Sequence, residues 1–168
     1  MSKAKEPKPM THKQMVKRMA NWMKYNQCAC VVISELHTMG GTEQPDVIGW
    51  KSCGSSVLVE CKTSRADFFA DDKKWFRRES TLGMGGLRFV AVPKGLVKKE
   101  EVPENWGLLE VDDRCVRVTV KAQLQECSKW AECKLLVSSI RRLQLSTAVY
   151  VVQDECANQE PVVDGEIQ

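Results

Sequence analysis

An α/β domain with a mixed central β-sheet flanked by helices is the fold class this sequence predicts. Three observations predict it. An amphipathic helical period runs over residues 11–26. Short apolar, β-branched runs recur at residues 28–33, 47–50, 57–62 and 87–92. A second helical signal at residues 65–79 separates the third strand from the fourth, so the elements read α-β-β-β-α-β.

The first helix has a start signal. Thr11 is followed three positions later by Gln14, a capping-box pair. Met15, Met19, Trp22 and Met23 then share one face, while Lys13, Lys17, Arg18 and Lys24 lie off it. The Met/Trp stripe reads as core. Residues 28–33 read as a buried strand. Glu35 and His37 follow it, and His37 reads as a polar loop residue. Residues 38–43 contain Gly40 and Gly41 and read as a loop that lets another molecule approach closely.

Residues 44–62 form the central hairpin. Two apolar runs flank the Gly/Ser-rich hexad 51–56. Asp46 and Glu60 each lie seven positions from Cys53. A turn centred on Cys53 makes them cross-strand partners, with Cβ atoms about 5 Å apart. Glu60 and Lys62 share a face, taken to be exposed, and Lys62 is the diagonal neighbour of Asp46. Val57, Val59 and Cys61 point the other way, toward a core. Like charges opposite one another on a sheet repel. Lys62 relieves part of that repulsion, and a divalent cation relieves more, since Mg²⁺ takes one or two carboxylates and keeps several waters. A plain surface ion pair is the alternative, stabilising by about 0–1 kcal/mol.

Ser64 and Asp67 mark the start of a helix over residues 65–79. Lys73, Lys74, Arg77 and Arg78 cluster near its far end. They complement the helix dipole or grip phosphates; phosphate contact is favoured because Lys62 precedes them. Residues 81–86 are Gly-rich but carry no P-loop lysine, so no nucleotide cofactor is expected. Residues 87–92 form a strand closed by Pro93, and residues 94–102 form at most a turn of helix. Residues 106–111 and 115–120 form a hairpin around Asp112, Asp113 and Arg114. Residues 121–145 read as the last helix, with Leu124, Trp130, Leu135, Leu136 and Ile140 roughly periodic. Residues 146–152 are short and apolar.

Composition bounds the function. The 168 residues suit one domain: a flexible basic arm over 1–10, a single domain over 11–152 and an acidic disordered tail over 153–168. With a net charge of +3, any nucleic-acid contact has to come from local clustering. Eight cysteines without a CxxC pair, and two histidines, argue against zinc; the thiols read as reduced and mostly buried. Residues 1–9 lack the apolar core of a signal peptide, and no apolar run reaches a membrane-spanning length. A cytoplasmic protein without a membrane partner is expected.

Pro45-Asp46, thirteen intervening residues and then Glu60-Cys61-Lys62 resemble the PD-(D/E)XK motif of the restriction-endonuclease-like nucleases. Residues 60–75 are similar to the strand-to-helix segment of the MmcB-like DNA-repair endonucleases, and residues 88–96 and 106–111 to later strands of that family. The likeness covers residues 35–111. It implies a restriction-endonuclease-like αβββαβ core and Mg²⁺- or Mn²⁺-dependent hydrolysis of DNA phosphodiesters. By the same resemblance, Asp46, Glu60 and the backbone carbonyl of Cys61 bind the metal. Lys62 holds the attacking water, and Glu35 adds a third acidic group. Nucleases that cut both strands often work as two-fold dimers, so a homodimer is carried as an expectation. A bacterial cell or a phage-infected host is the expected setting, in DNA repair or phage biology. The alternative is a non-catalytic DNA- or protein-binding module on the same fold.

Overall fold

The computed structural model describes residues 10–36, 43–70 and 80–143. Helix α1 (His12–Asn26) starts at the expected capping box: the Thr11 hydroxyl accepts from the Gln14 amide, and the Gln14 side chain accepts from the Thr11 amide. The strands are β1 (Val31–Ser34), β2 (Val47–Trp50), β3 (Ser56–Cys61), β4 (Leu87–Pro93), β5 (Gly107–Val111) and β6 (Val116–Val120). Helices α2 (Arg65–Ala70) and α3 (Lys129–Leu143) complete the set.

All six strands form one sheet in the order β1-β2-β3-β4-β5-β6. Strands β1, β2 and β3 are joined antiparallel, as are β5 and β6. Strands β3, β4 and β5 run parallel. A parallel neighbour needs a crossover, which is why α2 stands between β3 and β4. The described residues thus form a mixed α/β fold with a mixed six-stranded sheet and three α-helices.

Alternation along the strands sorts the core into two faces. On one, Met15, Met19, Trp22 and Met23 of α1 pack on Val57, Val59, Cys61 and Ala91. A fully buried Met or Val side chain there stabilises by about 1.5–3 kcal/mol. Trp22 meets Phe89 edge to face at 5.7 Å. Gly49 permits this approach, since a Cβ there would lie 2.8 Å from Met23 Sδ. On the other face, Leu135 of α3 joins Ile48, Trp50, Leu58 and Trp106, while Phe68 of α2 packs on Val90, Val92 and Leu108.

Four sequence expectations need correction. The segment 121–128 is not helical; α3 begins at Lys129. Its backbone bonds to loops instead: Gln123 N to Asn105 O at 3.0 Å, Gln125 N to Gly86 O at 2.9 Å and Ser128 N to Gly83 O at 2.8 Å. Leu124, Trp130 and Ile140 are consequently exposed, and of that periodic set Leu135 alone is fully buried. The strand expected at 28–33 starts at Val31 and is not buried, because among the described residues β1 is the edge of the sheet. Cys28 itself has a left-handed backbone, with φ 53°. The thiols are not mostly buried: Cys28, Cys30, Cys53 and Cys133 are exposed, and Cys61 is the buried one among the described residues. The hairpin has no solvent face either. Strand β3 lies inside the sheet with helices over both faces, so Glu60 and Lys62 are 4% and 7% exposed. The expected basic arm, the loop holding His37, the strand-like run 146–152 and the acidic tail fall on residues outside the described set, apart from Met10.

Candidate functional site

The turn between β2 and β3 is centred where the spacing places it. Trp50 pairs with Ser56 and Val47 with Val59, a register that continues to Asp46 opposite Glu60. Gly54, at φ +80°, supplies the left-handed turn residue. Cys53 is therefore the midpoint, and both carboxylates come to the far end of the hairpin.

Asp46 stands at the entry to β2. Its Oδ2 accepts the Cys61 N–H at 2.7 Å, so the carboxylate takes the place of the next ladder bond between the two strands. Its backbone carbonyl accepts the Glu35 N–H at 3.0 Å. Glu35 thereby joins the site from the end of β1, in a left-handed conformation with φ 51°. Its side chain is half exposed.

Glu60 and Lys62 leave β3 on the same side. Lys62 Nζ lies 3.5 Å from Glu60 Oε2 and 4.0 Å from Asp67 Oδ1 in the first turn of α2. The backbone N–H of Lys62 donates to Ala91 O at 2.9 Å, which anchors the lysine to β4. Ser64 caps α2 by accepting the Asp67 N–H at 3.2 Å, and so holds Asp67 in place. Burial pushes the Cys61 thiol up, and the neighbouring charges of Asp46 and Glu60 push it further. A thiol held neutral acts as core here, and its backbone is what the site uses.

The sequence reading missed His12. The first residue of α1 reaches over the strand ends, with Nε2 3.4 Å from Asp46 Oδ1 and 3.7 Å from Glu35 Oε1. Its signal was the capping box beside it, which fixes where α1 begins. Also missed was a buried polar centre at the opposite end of β3. There Glu132 accepts from Ser56 Oγ, Gly85 N and Trp50 Nε1 at 2.6, 2.9 and 3.2 Å. Lys129 Nζ adds a fourth contact at 3.0 Å. This centre ties α3 to β3 and to the loop before β4.

The structure thus brings Asp46, Glu60, Lys62, Glu35 and Cys61 to one end of the β2–β3 hairpin. Lys73, Lys74, Arg77 and Arg78 lie outside the described residues. Among the described residues, no three His, Cys, Asp or Glu side chains form a group that could hold a metal ion. The Asp46 carboxylate meets the Cys61 amide and His12, while Glu60 meets Lys62.

Fold and site together define a mixed α/β protein whose central hairpin carries an acidic pair and a buried lysine at one end. No protein-family model and no curated protein matches the chain. Among solved structures it is similar to a protein of unknown function from Silicibacter pomeroyi. The two are 22% identical with a TM-score of 0.58, over 97% of this chain and 99% of that chain. That likeness concerns the fold. Among the described residues, no helix is long and apolar enough to cross a membrane.

Proposed function

We propose that this protein is a metal-dependent DNA nuclease with a restriction-endonuclease-like core, hydrolysing phosphodiesters at the Asp46–Glu60–Lys62 site. One observation carries the reading. Asp46 continues the register opposite Glu60, and Lys62 Nζ stands 3.5 Å from Glu60 on the next strand position of the same face. Asp46 and Glu60, with the Cys61 carbonyl, would hold Mg²⁺ or Mn²⁺. Such an ion, when bound, lowers the pKa of a coordinated water and offsets charge on the phosphoryl oxygens.

The chain's own groups have separate tasks. The Cys61 N–H holds Asp46 Oδ2, and His12 Nε2 lies 3.4 Å from Oδ1. Glu60 and Asp67 flank the Lys62 side chain, with Nζ 3.5 Å from Glu60 Oε2 and 4.0 Å from Asp67 Oδ1. The Lys62 ammonium orients the attacking water and stabilises the anion that develops on the phosphate. Products would carry 5′-phosphate and 3′-hydroxyl ends, and a homodimer would let two such sites address both strands.

Incubation of the purified chain with labelled single-stranded, duplex and branched DNA, with and without Mn²⁺, tests this. Mn²⁺-dependent cleavage of any of them is expected, and loss of that cleavage in Asp46→Ala. A wild-type protein that cuts none of them, in either metal, refutes the reading.

A second reading has one observation in its favour: the Glu60–Lys62 pair is buried. Buried ion pairs also serve as structural elements. On that reading the chain is a binding module without turnover, and Mn²⁺ titration finds no site.

A further inference from the structure

Helix α1 starts at the candidate site and carries an unusual charge pattern. Its sequence, HKQMVKRMANWMKYN, holds Lys13, Lys17, Arg18 and Lys24 and no acidic residue. Lys13, Lys17 and Lys24 are exposed, and among the described residues none has a carboxylate within ion-pair distance. His12, at the head of the helix, touches Asp46 and Glu35. The helix is about 20 Å long, the length of 15 residues, and its first turn lies beside the site.

The outer face of α1 is grooved. A depression of about 610 Å³ lies between Thr11, Lys17, Arg18 and the Asp113 turn. A second, of about 360 Å³, continues it past Tyr25 and Arg114. Arg18 and Asn21 line both, so the two form one trough between α1 and the β5–β6 turn. Arg18 Nη1 donates to the Asp113 carbonyl at 3.0 Å and fixes the far wall. Acidic groups on that wall are Asp113 and Asp112. The Asp112 carboxylate lies 3.3 Å from Arg117 and accepts the Arg114 and Cys115 amides. At the distal end, Tyr25 is 71% exposed with Lys24 Nζ 5.3 Å over its ring.

A basic groove ending in an exposed aromatic ring suits a single nucleic-acid strand: cations follow the backbone, and a base stacks on the ring. We infer that this trough seats the DNA strand that leaves the Asp46–Glu60 site, with Lys17 and Arg114 on its phosphates and Tyr25 against a base. The inference rests on the nuclease reading and extends it by giving the substrate a path.

The test is binding of a fluorescent single-stranded DNA to the full chain without divalent metal, so that cleavage is silent. Affinity is followed against salt. Each phosphate contact contributes about 0.7 to the slope of log K against log salt for a single strand. The double variant Lys17→Ala/Arg114→Ala should lower the slope by about 1.4, and Tyr25→Ala should weaken binding roughly tenfold. Lys17→Arg should retain the wild-type slope, and Lys99→Ala, on the other side of the sheet from α1, should change nothing. Unaltered thermal melting of each variant excludes misfolding. DNA binding by wild type with an unchanged slope in the double variant overturns the trough and leaves the nuclease reading standing. A wild type without salt-dependent DNA binding overturns it as well. Failure of wild type to cleave with Mn²⁺ is the separate result that removes the nuclease.

Discussion

His12 Nε2 stands 3.4 Å from Asp46 Oδ1, so the first residue of α1 meets the carboxylate at the entry to β2. The two are 34 positions apart in the chain. The other oxygen of Asp46 is held by the Cys61 amide, so the carboxylate is restrained from two sides. Restraint of this kind sets the direction of a ligand oxygen.

Removing the restraint should cost activity without removing the site. On the nuclease reading, His12→Ala should lower cleavage or Mn²⁺ affinity by about 10–100-fold, as loss of an orienting partner does. Cleavage rates beside a Mn²⁺ titration check it. Wild-type values in both would mean that His12 is a bystander.

On the nuclease reading, Lys62 acts on the reacting phosphate. Lys62→Ala should reduce Mg²⁺-dependent cleavage by at least about 10²–10³-fold, the loss typical of one charge-stabilising donor. Lys62→Met is a useful companion because it removes the charge while keeping most of the side-chain volume. Circular dichroism should show the fold retained in both. Cleavage by Lys62→Ala at the wild-type rate contradicts the assignment.

The Glu132 centre is a stability device with a definite pH signature. Burial would push the Glu132 carboxyl up, but hydrogen bonds from Ser56, Gly85, Lys129 and Trp50 outweigh it and hold the group below its ordinary value of 4.5. A depressed carboxylate contributes stability that is complete above the unfolded value and is lost as pH falls through the lower folded one. Urea unfolding of Glu132→Ala should show a loss of about 1–3 kcal/mol at neutral pH, from donors left without an acceptor. The difference from wild type should shrink below pH 4.5. A difference independent of pH would show that the charge does not matter.

Gly49 faces α1 with no side chain between. Gly49→Ala would put a methyl group 2.8 Å from Met23 Sδ, 3.1 Å from Ala29 Cβ and 3.2 Å from the Val31 carbonyl. Overpacking of that kind costs about 1–3 kcal/mol. Thermal unfolding checks this, and an unchanged melting temperature would mean that Met23 moves aside freely.

Much of this protein was legible in local chemistry. The capping box at Thr11 and Gln14 gave the start of α1, and the Met/Trp period gave its buried face. Equal spacing about Cys53 gave the hairpin register and with it the opposition of Asp46 and Glu60. The strands at β4, β5 and β6 followed from apolar runs closed by turn residues. These signals lie in near neighbours along the chain, because caps, turns and periodicity are satisfied within a few residues.

Tertiary structure decided the rest. Residues 121–128 carry helical composition, but the loops at Gly83, Gly86 and Asn105 offer carbonyls that their amides take instead. Strand β1 is apolar enough to be central, yet among the described residues no strand pairs beyond it, and it lies at the edge of that sheet. Glu60 and Lys62 alternate as a solvent face would, but the helices cover both sides of β3 and bury them. His12 meets Asp46, and Glu132 meets Ser56, across 34 and 76 positions. Encounters of that range depend on which layers stack on which face. The amino-acid order states what each side chain prefers; the packing of α1 and α3 on one sheet determines which preferences meet.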